Sequence, residues 1–184
     1  MQSMTETFKN YCNHKGIKLQ QVDDSVYRLG FGGKNACFDS VIAIDEDEGE
    51  IIMETLLPVK VSPEKRPSAA EIVARLNSKF RNGFLDFSVS SGYLNYKTNL
   101  LLGESELQKT MVEHLIFSNW ISADGSFPII NAVLFGNISP QKAVDKLKRR
   151  KDTEQNLSKE KDSTPESIDI SKVLRGRMGG FANN

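Results

Sequence analysis

Three strand-like segments stand close together in the first third of the chain and constrain its fold more than any other feature. They cover residues 26–31, 37–44 and 50–57, and only a glycine-containing turn and an acidic turn separate them. Parallel neighbours need a crossover of a dozen residues or more, and neither connection has that length. The segments therefore predict an antiparallel meander.

A second group of strands is predicted after an intervening helix. Residues 84–89 and 93–98 flank a short loop with Gly92, a pattern typical of a hairpin. The preceding helix is predicted to begin at a capping box that starts with Ser68. Its apolar positions fall on one helical face and are Ala69, Ile72, Val73, Leu76 and Phe80.

Four other segments carry helical periodicity, and they are expected at residues 4–15, 104–122, 127–135 and from 139 onwards. The sequence Ala123-Asp124-Gly125 is predicted to separate the second of these from the third, where Pro128 fits a first helical turn. The predicted order is α-β-β-β-α-β-β-α-α-α. This order indicates an α+β domain in which helices cover an antiparallel sheet, built from a three-stranded meander plus a hairpin.

Charge and apolar content change near the end of the predicted domain. The 184-residue chain has 24 basic and 24 acidic side chains, yet residues 1–141 carry 13 basic and 17 acidic ones, while residues 142–184 carry 11 and 7. Residues 148–167 include a single large apolar side chain, Leu157, and cannot offset the entropy of folding by burial. We therefore predict a domain over 1–147, a disordered linker over 148–167 and a tail over 168–184.

Nothing in the pattern of reactive side chains predicts an enzyme. His14 and His114 are the only histidines. The thiol of Cys12 and the imidazole of His14 stand two residues apart, a spacing that points them to different faces of a helix, and no nucleophile or polarising partner for His114 is visible. Cys12 lies on the apolar face of the first helix, as expected of a buried structural thiol. The acidic turn lacks the ligand spacing of an EF-hand. No catalytic residue, cofactor or metal is therefore expected.

The glycine-containing turn before the second strand of the meander invites comparison with a phosphate-binding loop. The Walker pattern requires a glycine where Arg28 stands and a serine or threonine where Asn35 stands. The turn also leads into a strand, so no helix N-terminus is expected beside a phosphate. We interpret it as a turn without a ligand.

Membrane insertion and secretion are not expected from the sequence. No run reaches the roughly 18 consecutive apolar residues of a membrane span. The first ten residues lack the basic-then-apolar order of a secretory signal, and two cysteines are too few for a disulfide framework. A cytoplasmic location is therefore expected.

The order of the elements and some of their residues resemble a known family. The shared features are the meander, a helix closed by Asn77, the hairpin, the long helix and a D-x-x-x-P stretch from Asp124 to Pro128. Over roughly residues 5–147 the chain resembles the YbjN-like family of bacterial sensory-transduction regulators, whose fold is similar to that of type III secretion chaperones. The resemblance implies this fold and a protein-binding role, and it supplies no active-site residues.

Two regions are candidates for contact with a partner. On the domain, the candidate side chains are Phe31, Phe38, Phe84 and Tyr93, each of which has burial in the core as its alternative. In the tail, apolar and basic residues return after the linker, and the candidates there are Val173, Leu174, Arg175, Arg177 and Phe181.

These observations predict a non-enzymatic cytosolic protein-binding module, chaperone-like or regulatory, that binds a polypeptide partner or a second copy of itself. A sheet edge is able to accept an added strand from either source. The alternative is a nucleic-acid-associated regulator that uses the basic C-terminal tail. Four basic residues at 148–151 would make few phosphate contacts, so such binding would be weak and salt-sensitive.

Overall fold

A computed structural model describes residues 3–103 and 105–146. Its elements are α1 (Met4–His14), β1 (Gln20–Asp23), β2 (Val26–Gly32), β3 (Cys37–Asp45), β4 (Glu50–Lys60), α2 (Arg66–Asn77), β5 (Phe84–Phe87), β6 (Tyr93–Leu101), α3 (Lys109–Leu134) and α4 (140–146). A 3-10 turn over Pro63–Lys65 leads into α2. The predicted linker and tail lie outside the described residues, and their boundaries stay predictions.

All six strands form one antiparallel sheet in the order β1-β2-β3-β4-β6-β5. The first four strands follow each other as the meander, and β6 rather than β5 pairs with β4. The register places Ile42 opposite Met53, and Met53 opposite Thr98. Because side chains alternate along a strand, these three residues share one face of the sheet.

That face is the one covered by α1, α2 and α3. The Phe8 ring of α1 lies 5.8 Å from the Tyr27 ring of β2. From α3, Trp120 Nε1 donates a 3.0 Å hydrogen bond to Ser40 Oγ in β3. The large buried side chains of the strands all lie at positions of this parity and are Tyr27, Leu29, Phe38, Ile42, Ile44, Ile51, Met53, Leu57, Leu85, Leu94 and Tyr96.

A buried polar network joins α3 to β4 and β6. Asn119 is fully buried, and its Nδ2 donates to Met53 O at 3.2 Å, to Tyr96 O at 3.2 Å and to Thr98 Oγ1 at 3.0 Å. Its Oδ1 accepts a hydrogen bond from Thr55 Oγ1. Buried polar groups are costly unless they are bonded, so this network fixes the position of α3 over the sheet.

The predicted α+β class is confirmed, but the predicted order lacked one strand. β1 is an edge strand whose four residues, Gln20–Asp23, are all exposed. Strand prediction relies on buried apolar alternation, and β1 has none. Main-chain pairing with β2, such as Gln21 opposite Tyr27, holds it in the sheet instead.

The predicted separation of two helices at Ala123-Asp124-Gly125 was wrong, because α3 continues through it to Leu134. The predicted start at residue 104 was also early, since α3 begins at Lys109. Buried side chains continue on both sides of the expected break, at Trp120, Ala123 and Ser126 and then at Ile130, Val133 and Leu134. Burial of this continuous stripe overrides the low helix propensity of glycine and proline.

The predicted capping box at Ser68 was also wrong. α2 begins two residues earlier, at Arg66, and Ser68 lies inside its first turn. Pro67 occupies an early helical position, where a missing N–H costs nothing. Four of the five residues of the predicted apolar stripe, Ala69, Ile72, Val73 and Leu76, are buried on α2. Phe80 lies beyond the end of the helix and is half-buried.

Pro128 and Asp124 together fix the turn between β2 and β3. Proline has no N–H, so the helical hydrogen bond from residue 128 to the carbonyl of residue 124 cannot form. Asp124 O instead accepts a 2.9 Å hydrogen bond from Asn35 Nδ2. The Asp124 carboxylate also accepts from Asn35 N at 2.8 Å and from Lys34 N at 3.2 Å. The D-x-x-x-P stretch is therefore a clamp on this turn, and a Cβ at Gly33 would collide with the carboxylate.

Among the described residues, no helix has both the length and the apolar character that crossing a bilayer requires.

Candidate functional site

The second face of the sheet has no described helix packed on it. We call it the open face; its side chains alternate with the core positions along each strand. Val41 is 42% exposed, Leu56 40%, Phe84 47%, Tyr93 45% and Leu101 70%. Val26, Ala43 and Ile52 lie between them and are half-buried. The open face is therefore an accessible surface with an apolar patch at the centre of the sheet, around Val41, Ala43 and Ile52, among charged and amide side chains.

Charged side chains in the middle of the open face are paired with one another. Arg28 Nη2 lies 2.8 Å from Asp39 Oδ2. Lys97 Nζ lies 3.0 Å from Glu54 Oε1 and 3.1 Å from Asp86 Oδ2. Hydrogen bonds to Glu54 and Asp86 raise the pKa of Lys97 above its ordinary value. Since both cations have carboxylate partners, the middle of this face has little free positive charge with which to hold nucleic acid.

A depression of about 410 Å³ lies at the end of the open face near the acidic turn. Its floor includes Ala43 and Ile52, and its rim carries Asp45, Asp47 and Glu50. No group of three His, Cys, Asp or Glu side chains within residues 3–103 and 105–146 is arranged to hold a metal ion. The depression extends the apolar surface and has an acidic edge.

One carboxylate of the acidic turn has a structural partner. Glu46 accepts hydrogen bonds from Met4 N at 3.0 Å and from Thr5 N at 2.8 Å, at the N-terminus of α1. Partial burial raises the pKa of Glu46, but hydrogen bonds from Thr5, Met4 and Ser3 outweigh this effect and lower it overall. The turn thus connects the meander to α1.

The four predicted aromatic residues of the domain divide between the two faces. Phe84 and Tyr93 lie on the open face, where Lys60 Nζ stands 5.1 Å from the centre of the Tyr93 ring. Phe31 and Phe38 stack on the helix-covered face with their ring centroids 4.9 Å apart. Phe38 is buried in the core, and half-buried Phe31 also stacks on Trp120 at 4.5 Å.

Sequence reasoning did not identify the aliphatic residues of the open face. Val41 and Ala43 alternate with buried Ser40 and Ile42, so β3 is apolar at positions of both parities. Such a strand is typical of a sheet with apolar surface on both sides. Apolar residues at both parities of β3 were therefore the sequence signal that could have predicted an apolar open face. The predicted tail residues Val173, Leu174, Arg175, Arg177 and Phe181 lie outside the described residues.

Within residues 3–103 and 105–146, the reactive side chains do not gather into a site. His14 lies at the end of α1 and His114 in α3, and both are exposed. Cys12 is fully buried, and burial raises the pKa of its thiol to about 12. In the glycine-containing turn, the Lys34 and Asn35 N–H groups that would bind a phosphate donate to Asp124. Burial in the core therefore explains Cys12, and the hydrogen bonds to Asp124 explain the glycine-containing turn.

The described residues define a class of α+β domain, one with an open six-stranded antiparallel sheet and helices on a single face. Solved structures of this class are similar to the chain. YbjN from E. coli, a candidate transcription regulator, is 15% identical, and the match covers 68% of this chain and 89% of that chain with a TM-score of 0.51. The ExsC–ExsE complex is 12% identical, with 71% and 97% covered and a TM-score of 0.48.

No family model matches the chain. No curated protein matches it by sequence. The likeness to YbjN therefore establishes the fold, and the YbjN-like fold expected from the sequence is confirmed.

Proposed function

We propose that the protein is a non-enzymatic polypeptide-binding module that holds its partner against the open face. The observation that carries the proposal is the accessible apolar surface at the centre of the sheet. A solvated sheet face ordinarily presents polar side chains, and exposed apolar patches commonly mark interaction sites. Here Val41, Leu56 and Phe84 remain 40% or more exposed.

Paired charges around these residues support a polypeptide as the occupant. Within the face, Arg28 is paired with the opposite charge of Asp39, and Lys97 with that of Glu54. Apolar side chains of a partner would be buried without leaving a lone charge beneath them. The chaperone-like or regulatory role and the cytoplasmic location stay predictions of this proposal.

The experiment is an affinity capture from native lysate with the full chain, compared with Val41→Glu, and read by mass spectrometry. A glutamate at Val41 would place an unpaired charge in the interface, so we expect at least a tenfold loss of captured partner. The matched control is Ile121→Glu, which changes a still more exposed aliphatic residue on α3, on the other side of the sheet. Equal capture by wild type and both variants, or no partner at all, would contradict the proposal.

Light scattering on the same three proteins distinguishes a foreign partner from a second copy. A doubled mass that Val41→Glu abolishes and Ile121→Glu preserves would assign the open face to self-association. The nucleic-acid alternative depends on residues 148–184, and no described residue favours it. It predicts retention on DNA or RNA that disappears by about 0.3 M salt and on deletion of those residues.

A further inference from the structure

β6 is longer than the strand beside it. Its pairing with β4 continues to Leu101, which lies opposite Glu50, whereas its pairing with β5 ends at Lys97, opposite Phe84. Residues 98–101 therefore have a described partner strand on one side only. This stretch, which we call the β6 edge, lies inside the sheet order although no described strand pairs with its outer side.

Asn77 shows which main-chain groups point to that open side. Its Oδ1 accepts from Leu85 N at 2.8 Å, and its Nδ2 donates to Leu85 O at 3.0 Å. Leu85 thus turns its main-chain groups away from β6, and its neighbours Phe84 and Asp86 turn theirs towards it. Lys97, opposite Phe84, therefore turns its main-chain N–H and C=O groups towards β5. Because this direction repeats every second residue along a strand, the main-chain groups of Asn99 and Leu101 point to the same side.

A groove of about 540 Å³ runs beside the β6 edge. One wall is the loop at Arg81–Gly83, and the other is the first part of α3, with Met111, His114 and Ser118. Its volume lies within the range of about 300–1,000 Å³ that is usual for binding clefts. An extended segment in this groove would continue the line of β5 along β6.

The lining of the groove favours an acidic occupant. Arg81 is an exposed cation there, and the other polar groups include His114, Gln108 and Asn82. The described residues that line the groove include no aspartate and no glutamate, although the chain has as many acidic as basic residues. A carboxylate in the groove would meet hydrogen-bond donors and a positive charge without like-charge repulsion.

We infer that the β6 edge binds an extended acidic segment of a partner polypeptide as an added strand. Main-chain hydrogen bonds to Asn99 and Leu101 hold the segment, and Arg81 selects its aspartate or glutamate side chains. Recognition by strand addition uses main-chain groups for affinity and side-chain pockets for specificity. This site is separate from the open face, and it stands whether or not the open face binds a partner.

The test begins with a phage-displayed library of linear seven-residue peptides, panned on the full chain. The best binder is then synthesised with blocked ends and titrated by fluorescence anisotropy. Asn99→Pro removes the N–H that the added strand needs and no main-chain bond within the sheet. Its matched control is Asn99→Thr, because both variants lose the 3.4 Å hydrogen bond from Asn99 Nδ2 to Glu50 Oε1. Arg81→Glu reverses the selecting charge, and Lys79→Glu makes the same change just outside the groove.

We expect the selected peptides to be enriched in aspartate and glutamate. We expect Kd to rise at least tenfold in Asn99→Pro and Arg81→Glu, and to stay within twofold of wild type in the two controls. Circular dichroism of each variant checks that the fold is kept. Peptide saturation should also slow hydrogen exchange of the Asn99 and Leu101 amides at least tenfold.

Three results would overturn the inference. They are a library that yields no binder, a selected peptide whose affinity is unchanged by Asn99→Pro, and peptides without acidic enrichment. If Val41→Glu abolishes peptide binding and Asn99→Pro leaves it unchanged, the peptides bind the open face. That pattern would support the proposed function and reject the β6 edge as a site.

Discussion

Glu46 shows how one side chain joins distant parts of this chain. It lies in the turn between β3 and β4, yet it accepts two main-chain hydrogen bonds from the first turn of α1. A carboxylate at a helix N-terminus satisfies free N–H groups and interacts favourably with the helix dipole. An acidic turn that resembles a solvated loop in the sequence is therefore part of the packing of α1.

The pH dependence of stability follows from the lowered pKa of Glu46. A carboxylate whose pKa is lower in the folded state stabilises the fold above its unfolded pKa, near the ordinary value of 4.5, and this contribution disappears as pH falls through the folded value. We expect Glu46→Gln to be less stable than wild type by roughly 0.5–1 kcal/mol at pH 7. The difference should vanish towards pH 3.

Urea denaturation of both proteins between pH 3 and pH 7 measures this difference, with Glu48→Gln in the same turn as the control. A constant difference across the whole range would mean that the charge of Glu46 contributes nothing to α1.

At the scale of elements, the D-x-x-x-P stretch connects α3 to the turn between β2 and β3. Pro128 leaves the Asp124 carbonyl without its helical donor, and Asn35 Nδ2 donates to that carbonyl and to the carboxylate. A proline that is unfavourable within the helix is thus matched to an asparagine 93 positions earlier in the chain. The two positions act as one structural unit.

A double-mutant cycle on Asn35→Ala and Asp124→Ala tests this unit. Each single change should lower the free energy of unfolding by about 0.5–1.5 kcal/mol, because it removes hydrogen bonds at a solvent-accessible site. The double mutant should lose less than the sum, with a coupling of at least about 0.5 kcal/mol. Chemical denaturation measures all four proteins, and additive losses would show that the clamp has no energetic role.

The strands of the meander and α3 show where prediction from sequence succeeds and where it stops. Strands β2, β3 and β4 were predicted because buried residues such as Leu29, Ile42 and Met53 alternate with less buried ones. β1 was missed because hydrogen bonds alone place it, and α3 was divided because Gly125 and Pro128 ordinarily end helices. Only tertiary contacts, which local propensity does not contain, decide such cases.

The candidate site was predicted in part for a related reason. Phe84 and Tyr93 were identified as partner-binding candidates because they are aromatic, and the structure places both on the open face. Phe38 was selected on the same ground, but it is buried. Which parity of a strand faces the helices is a property of the whole sheet, so composition alone cannot separate these residues.

At the scale of the whole molecule, the network around Asn119 connects the helical layer to the sheet. Asn119→Leu keeps the approximate volume and removes every hydrogen bond, leaving Thr55, Thr98 and main-chain carbonyls with fewer partners. We expect a loss of about 3 kcal/mol in the free energy of unfolding. Guanidinium denaturation at pH 7 measures it.

Asn131→Leu is the matched control, because it makes the same substitution on the same helix. The buried Oδ1 of Asn131 has no hydrogen-bond partner among the described residues. Replacing it should therefore change stability by less than about 1 kcal/mol or increase it. Similar losses in both variants would indicate that the network adds nothing beyond side-chain packing.

The late position of α3 in the chain has a consequence during synthesis. The meander is complete once Lys60 has been made, but the helix that covers its centre ends about 70 residues later, at Leu134. At translation rates of about 5–20 residues per second, the nascent sheet spends roughly 4–15 s with the centre of its core side uncovered. During that interval Ser40 and Thr55 lack their hydrogen-bond partners Trp120 and Asn119. The ribosome-bound chain is then exposed to aggregation, and cellular chaperones have their best opportunity to bind it.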